Sequence, residues 1–409
     1  MSIRIENSSV NPPLLSIPVH TASVTKTQTL YERCVLSPIR SLMRQLFLPL
    51  FNKLPSKYEV QMKKEEQFFQ NFWDPNAPLY PELSHHKKIK ETFSAQNREF
   101  SITVKGQPCK VQCFVIEPKN KVSEQSYCNI AHVLGINSTL NNTIMHTYPL
   151  LAAYVDVKEK PSARFIIINH YSISRSDGSI FKPETLSEAG LILSETLKAI
   201  EESYGTIHQL LSYSLGSIVT AAALKYFHKH FPENTTSLAG RITFKKSLDE
   251  TDVKTSRVFK SLPQNIIFDR GPSSIEKLSN RYTRGSILLP LARLSGWDIN
   301  IGKEISSFIQ NCKERAPNIT IINALQDHRF YGDVNLCASP EIVKLAEKKK
   351  VTSILLDICV QSINETAQHS FSLGNWYGSH LVEGYKKQNF LQRDQSLASA
   401  IIQQSFSAR

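Results

Sequence analysis

The spacing of hydrophobic positions changes along the chain. Residues 1–30 are rich in Ser, Thr, Asn and Pro and show no apolar period, which predicts a flexible tail. Residues 31–97 carry charged segments with helical spacing, such as Met62–Trp73, which predicts an N-terminal helical extension. Alternation follows in Glu99–Val104 and Lys110–Ile116, which are separated by Gly106-Gln107-Pro108. This is the signature of a β-hairpin. Short apolar runs then alternate with longer helical stretches. Strands are predicted at Ile130–Leu134, Phe165–Ile168, Ile207–Leu211, Asn265–Phe268, Ile319–Ile322 and Val351–Ile358, and helices at 143–154, 185–203, 215–230, 273–280, 302–313 and 340–349. Strands alternating with helices imply an α/β domain over 98–409, with a mostly parallel sheet covered by helices on both faces. The polar, basic stretch 230–263 breaks the rhythm and reads as a lid, an insertion or a mobile loop. No internal repeat is found.

The most informative segment is IHQLLSYSLGSIVTAAALKYF, from Ile207 to Phe227. An apolar strand runs into Ser212-Tyr213-Ser214-Leu215-Gly216-Ser217, and an Ala-rich helix follows. Strand, cramped turn with a serine at its tip, then helix is the setting of a nucleophile elbow. It exposes Ser214 at the carboxyl edge of a sheet and turns the N–H of Leu215 and the helix N-terminus toward an oxyanion. Ser212 and Ser217 stand where such motifs usually carry glycine. The alternative is that Ser214 or Ser217 merely caps the helix.

Acyl transfer by a serine also needs a histidine base and an acid that orients it, arranged Ser, acid, His along a chain of this type. Asp327 follows the strand ITIINAL and is the candidate acid. Asp269, in Phe268-Asp269-Arg270-Gly271-Pro272, is the alternative, although Arg270 beside it favours a local ion pair. Two histidines follow the last strand. His369, nearer the strand end in a loop of polar and small residues, is the candidate base, and His380 is the alternative. The second oxyanion donor is expected from the loop after the strand IAHVL, at Ile136 or Asn137, where Gly135 lets the backbone turn inward. No cofactor or metal is required by this chemistry.

Together these pieces resemble the α/β-hydrolase superfamily and, more narrowly, the chlamydial CHLPS protein family. The likeness runs from about residue 98 to 400. It is carried by Gly135-Ile136-Asn137, by Asn169–Gly178 after the fourth strand, by the Ser214 turn, and by Phe268-Asp269-Arg270 with Gly296-Trp297 and Asp327. Relatives usually read Y-R-G-x-G-x-S-x-G after the fourth strand. Here only Arg175, Ser176 and Gly178 match, and Ser172 and Ser174 replace glycines. The resemblance implies a serine-hydrolase fold and names no substrate.

Composition adjusts this picture in a few respects. Hydrophobic content of 41% and charged content of 21% are ordinary for a protein with a sizeable core. The balance of 48 basic to 36 acidic side chains, a net charge of +12, favours anionic surfaces. There is no basic stripe interleaved with aromatics, so a nucleic-acid partner is not expected. The cysteines are odd in number and scattered, with no zinc spacing, which fits buried thiols in a reducing compartment. No signal-peptide core or apolar run of spanning length is present. A cytoplasmic protein is expected, the alternative being export without a cleaved signal. Residues 39–50 carry an apolar helical stripe (Ile39, Leu42, Met43, Leu46, Phe47, Leu50) that either makes a peripheral membrane contact or packs on the protein's own core. Two functions follow. One is a serine hydrolase acting on a small-molecule or lipid acyl substrate. The other is a catalytically inactive protein of this fold that binds a partner or membrane surface.

Overall fold

Lys105 and Gly106, both with positive φ (50° and 75°), turn the chain between β1 (Phe93–Val104) and β2 (Gln107–Pro118), which pair antiparallel along their whole length. Both residues of a type I′ turn need left-handed backbone, which glycine adopts at no steric cost. The hairpin is therefore longer than the alternation alone implies, and the sheet begins at Phe93. The computed structural model describes residues 38–39 and most of 70–356, the exceptions in that span being 75, 80–82, 121–126, 136–142, 158–161, 176–182, 228–260, 283–287, 313–315 and 325–331. The predicted tail and most of the 230–263 insertion lie outside the described residues.

The remaining strands are β3 (Cys128–Val133), β4 (Ala163–Arg175), β5 (Ile207–Tyr213), β6 (Asn265–Asp269), β7 (Asn318–Ala324) and β8 (Thr352–Leu356). They form an 8-stranded sheet in the order β1-β2-β4-β3-β5-β6-β7-β8. β2 runs antiparallel to β1 and β4, and every other neighbouring pair is parallel. β4 corrects the sequence reading, which placed a loop after Ile168. The strand continues to Arg175, pairing Ile173 with Val111 and Arg175 with Cys109 across a register shift between Val111 and Cys113. Tyr171 and Ile173 alternate with serines, a strand pattern that the long partner β2 draws into pairing.

The helices are α1 (His86–Thr92), α2 (Thr143–Asp156), α3 (Leu186–Tyr204), α4 (Gly216–Phe227), α5 (Ile275–Tyr282), α6 (Leu288–Ser295), α7 (Ile301–Cys312) and α8 (Pro340–Glu347). α1 falls within the predicted helical extension without having been singled out, and α6 was not predicted. Its Pro290 sits in the first turn, where proline costs no helical hydrogen bond. On one face of the sheet, Val133, Leu210, Phe268 and Ile321 pack against Leu193, Ala222 and Phe308 of α3, α4 and α7. On the other face, Ile130, Phe165, Leu211 and Ile267 pack against Tyr148 and Leu151 of α2. The end of the N-terminal extension joins this second core through Phe72, Leu83 and Ile89. Ile39 packs against the first core, and residues 40–50 lie outside the described residues. Among the described residues, no helix is long and apolar enough to cross a membrane.

Two side chains cap the start of α3. Thr185 accepts the Glu188 N–H at 3.1 Å, while the Glu188 carboxylate accepts the Glu184 N–H at 2.6 Å. Further along, α3 presses its backbone onto α4 at Gly190, where a Cβ would lie 2.5 Å from the Ala222 carbonyl oxygen. Helix propensity favours Gly190→Ala by about 1 kcal/mol. The clash is with backbone, however, so overpacking wins. The substitution is expected to destabilise the fold by about 1–3 kcal/mol, read as a lower urea midpoint at unchanged slope.

His132 lies inside β3, with burial pushing its pKa down to about 3. The unfolded chain binds a proton below pH 6.5 that the folded chain refuses. Stability is therefore full above that pH and falls as the pH drops toward 3. The expected loss by about pH 5 is roughly 2 kcal/mol. His132→Leu should flatten the pH dependence of the urea midpoint over this interval relative to the native chain.

Candidate active site

All seven residues of β5 are buried, and the strand ends at the carboxyl edge of the parallel sheet. From β3 the chain passes to β4 on one side and later to β5 on the other, so this edge holds a topological switch point, where sheets of this kind bind ligands. Ser214 leaves β5 with φ +53°, a left-handed backbone that costs an L residue about 1–2 kcal/mol. Its N–H extends the sheet ladder by donating to the Asp269 carbonyl at 2.9 Å. Its carbonyl accepts the Ser217 N–H at 3.0 Å, and that of Leu215 accepts the Ile218 N–H at 3.0 Å, which starts α4. The serine thus occupies the bend itself. Its residual exposure is 5%.

Neighbouring backbone closes tightly around this bend. A Cβ at Gly216 would stand 2.6 Å from the carbonyl oxygens of both Val133 and Leu134, so this glycine of the motif is sterically required. A Cβ at Gly135 would stand 3.0 Å from Ser214 Cβ and 3.1 Å from the Tyr213 ring. The chain leaving β3 therefore lies directly against the serine. Among the described residues, no carbonyl accepts the Leu215 N–H.

The two serines in glycine positions are accommodated. Ser212 Oγ donates to the Ile267 carbonyl at 3.0 Å within the sheet. Ser217 Oγ donates to the Ser212 carbonyl at 3.4 Å. The room for the Ser217 side chain is provided across the strand boundary. Gly271 faces it so closely that a Cβ there would fall 2.7 Å from Ser217 Cβ. Gly271 leaves the space that the Ser217 side chain fills, and the left-handed bend at Ser214 persists.

Asp269 ends β6 opposite Tyr213 and is fully buried. Arg270 holds both its carboxylate oxygens, with Nε 2.8 Å from Oδ1 and Nη2 2.5 Å from Oδ2. The same guanidinium lies 4.7 Å from the Tyr213 ring centre. The sequence suggested a local ion pair here. It gave no sign that the pair is sealed from solvent and bound to the residue preceding Ser214. Of the remaining candidates, Ile136, Asn137, Asp327, His369 and His380 lie outside the described residues. β7 runs parallel beside β6 and brings the chain to the same carboxyl edge at Ala324.

This is the α/β-hydrolase fold. It is identified by the strand order, by the antiparallel β2, and by the serine-bearing turn between β5 and α4. No family model matches the sequence, and no curated protein sequence does. Among solved structures, an esterase of Pyrococcus furiosus is 13% identical at a TM-score of 0.41, covering 80% of this chain and 95% of that one. Brefeldin A esterase, described as a bacterial homologue of human hormone-sensitive lipase, is 10% identical at a TM-score of 0.42, with 90% and 92% covered. Esterase B of Lactobacillus rhamnosis is 12% identical at 0.40, with 86% and 100% covered.

Proposed function

We propose that the protein is a serine hydrolase that cleaves an ester, thioester or amide of a small-molecule or lipid acyl substrate. The observation that carries this reading is Ser214 itself, a non-glycine residue held left-handed at the end of β5. Strain of this kind persists only where the surroundings over-determine it, and it clusters at functional sites. Ser214 attacks the carbonyl. His369 takes the proton and later passes it to the leaving group, with His380 the alternative base. Asp327 orients the imidazole and stabilises its cation. The N–H of Leu215, with one from Ile136 or Asn137, holds the oxyanion, and water releases the acyl group. Asp269 is the weaker choice for the acid, because Arg270 occupies both its oxygens.

The narrower resemblance to the chlamydial CHLPS family adds no substrate. The competing reading is an inactive binding protein, supported by the serines in glycine positions and by the net charge of +12; against the first of these, Gly271 leaves room for the Ser217 side chain. Labelling with a fluorophosphonate probe tests the proposal. The native chain is expected to label and Ser214→Ala is not. A folded native protein that stays unlabelled overturns it in favour of the binding role.

A further inference from the structure

β5 and β6 end side by side, with Tyr213 paired to Asp269, and each strand is followed at once by a left-handed residue that is not glycine. Ser214 has φ +53° and Arg270 has φ +48°. The two bends are chained. The Ser214 N–H donates to the Asp269 carbonyl at 2.9 Å, and the Arg270 N–H donates to the Ile322 carbonyl of β7 at 2.6 Å. The Arg270 side chain folds back over its own strand end. It grips the Asp269 carboxylate through two nitrogens and lies against the Tyr213 ring. Both charged groups are 0% exposed.

One guanidinium therefore bears on both backbone supports of the serine. It fixes Asp269, whose carbonyl holds the Ser214 N–H, and Tyr213, the residue that precedes Ser214. The next residue along, Gly271, lies against the Ser217 side chain in the first turn of α4. A buried ion pair is at best weakly favourable for stability compared with apolar packing. A planar fork bound at two points nonetheless fixes direction as well as distance.

We propose that Arg270 is a positioning residue for the Ser214 nucleophile, clamping Asp269 and Tyr213 so that the left-handed bend is held in its reactive geometry. This rests on the serine-hydrolase reading. Arg270 does not touch substrate. It acts through the two residues that hold the Ser214 backbone. When the clamp loosens, Ser214 relaxes toward ordinary backbone, and a displacement of about 1 Å at a nucleophile lowers the rate by roughly 100-fold.

Arg270→Lys keeps the charge and loses the planar fork, so it separates positioning from bulk electrostatics. Active-site titration of the full chain with a fluorophosphonate counts competent sites, and the rate of labelling is then expressed per competent site. The expected result is a per-site rate lower by about 10- to 100-fold in Arg270→Lys. With a simple acyl ester, kcat falls by a similar factor while KM stays within about two-fold. Tyr213→Leu removes the ring under the guanidinium and should show the same pattern, while Tyr213→Phe retains more of the rate. A purely structural role gives the opposite split, with fewer titratable sites each reacting at the native rate, and that outcome overturns the proposal. Should Arg270→Lys fail to fold, the comparison of Tyr213→Leu with Tyr213→Phe decides alone. A native chain that never labels removes the hydrolase reading and this proposal together. A labelled native chain with unchanged variants removes only this proposal.

Discussion

Ser214→Ala is expected to lower kcat for acyl-ester hydrolysis by about 10⁴- to 10⁶-fold. It should leave the urea midpoint near its native value. The loss is large because in the proposed mechanism the hydroxyl forms the covalent intermediate. The Leu215 N–H and substrate binding remain, so the residual rate stays above that in water. Stability is little affected because alanine has the same Cβ and bears the same left-handed backbone cost as serine at φ +53°. The two measurements must be made together. Equal losses in activity and midpoint would mean that the hydroxyl only satisfies a helix start, and the nucleophile assignment would fall. A rate unchanged at native stability would place the chemistry elsewhere in the molecule.

The turn was legible in the sequence because its determinants are local. The apolar run of β5, the small residues from Ser212 to Ser217 and the Ala-rich α4 lie within one short segment, and each favours the conformation it adopts. The parallel sheet was legible for the same reason, since fully buried strands such as Asn265–Asp269 read as short continuous apolar runs. What was missed depends on partners distant in sequence. β4 runs past Ile168 because β2 is long enough to pair with it, and nothing within Asn169–Arg175 announces that partner. The grip of Arg270 on Tyr213 depends on the register of β5 against β6. The room that Gly271 leaves for Ser217 is visible only once α4 lies against the segment leaving β6. The acid and base, by contrast, were placed by the chain order usual for this superfamily, and residues 327, 369 and 380 fall outside the described residues.

Asp269 and Asp327 should respond to substitution in opposite ways, which distinguishes a structural carboxylate from a catalytic one. Asp269→Ala leaves the Arg270 guanidinium, 0% exposed, without its two-point partner. Breaking a buried pair from one side costs about 3–5 kcal/mol, because the remaining charge stays desolvated. This is a large part of the roughly 5–15 kcal/mol that holds a folded domain together. Asp269→Ala is therefore expected to unfold at a much lower urea concentration, with activity lost along with the fold. Asp327→Asn should instead keep its midpoint while kcat falls by about 10⁴-fold, since an amide in place of the acid favours the wrong imidazole tautomer. The reverse pattern, a stable and inactive Asp269→Ala beside an active Asp327→Asn, would transfer the acid to the end of β6. In that case Arg270 would have to release the carboxylate during turnover. The bidentate geometry opposes this, because both oxygens are already committed and both charged groups are 0% exposed. The fork that keeps Asp269 from serving an imidazole is the same one that ties it to the strand end beneath Ser214.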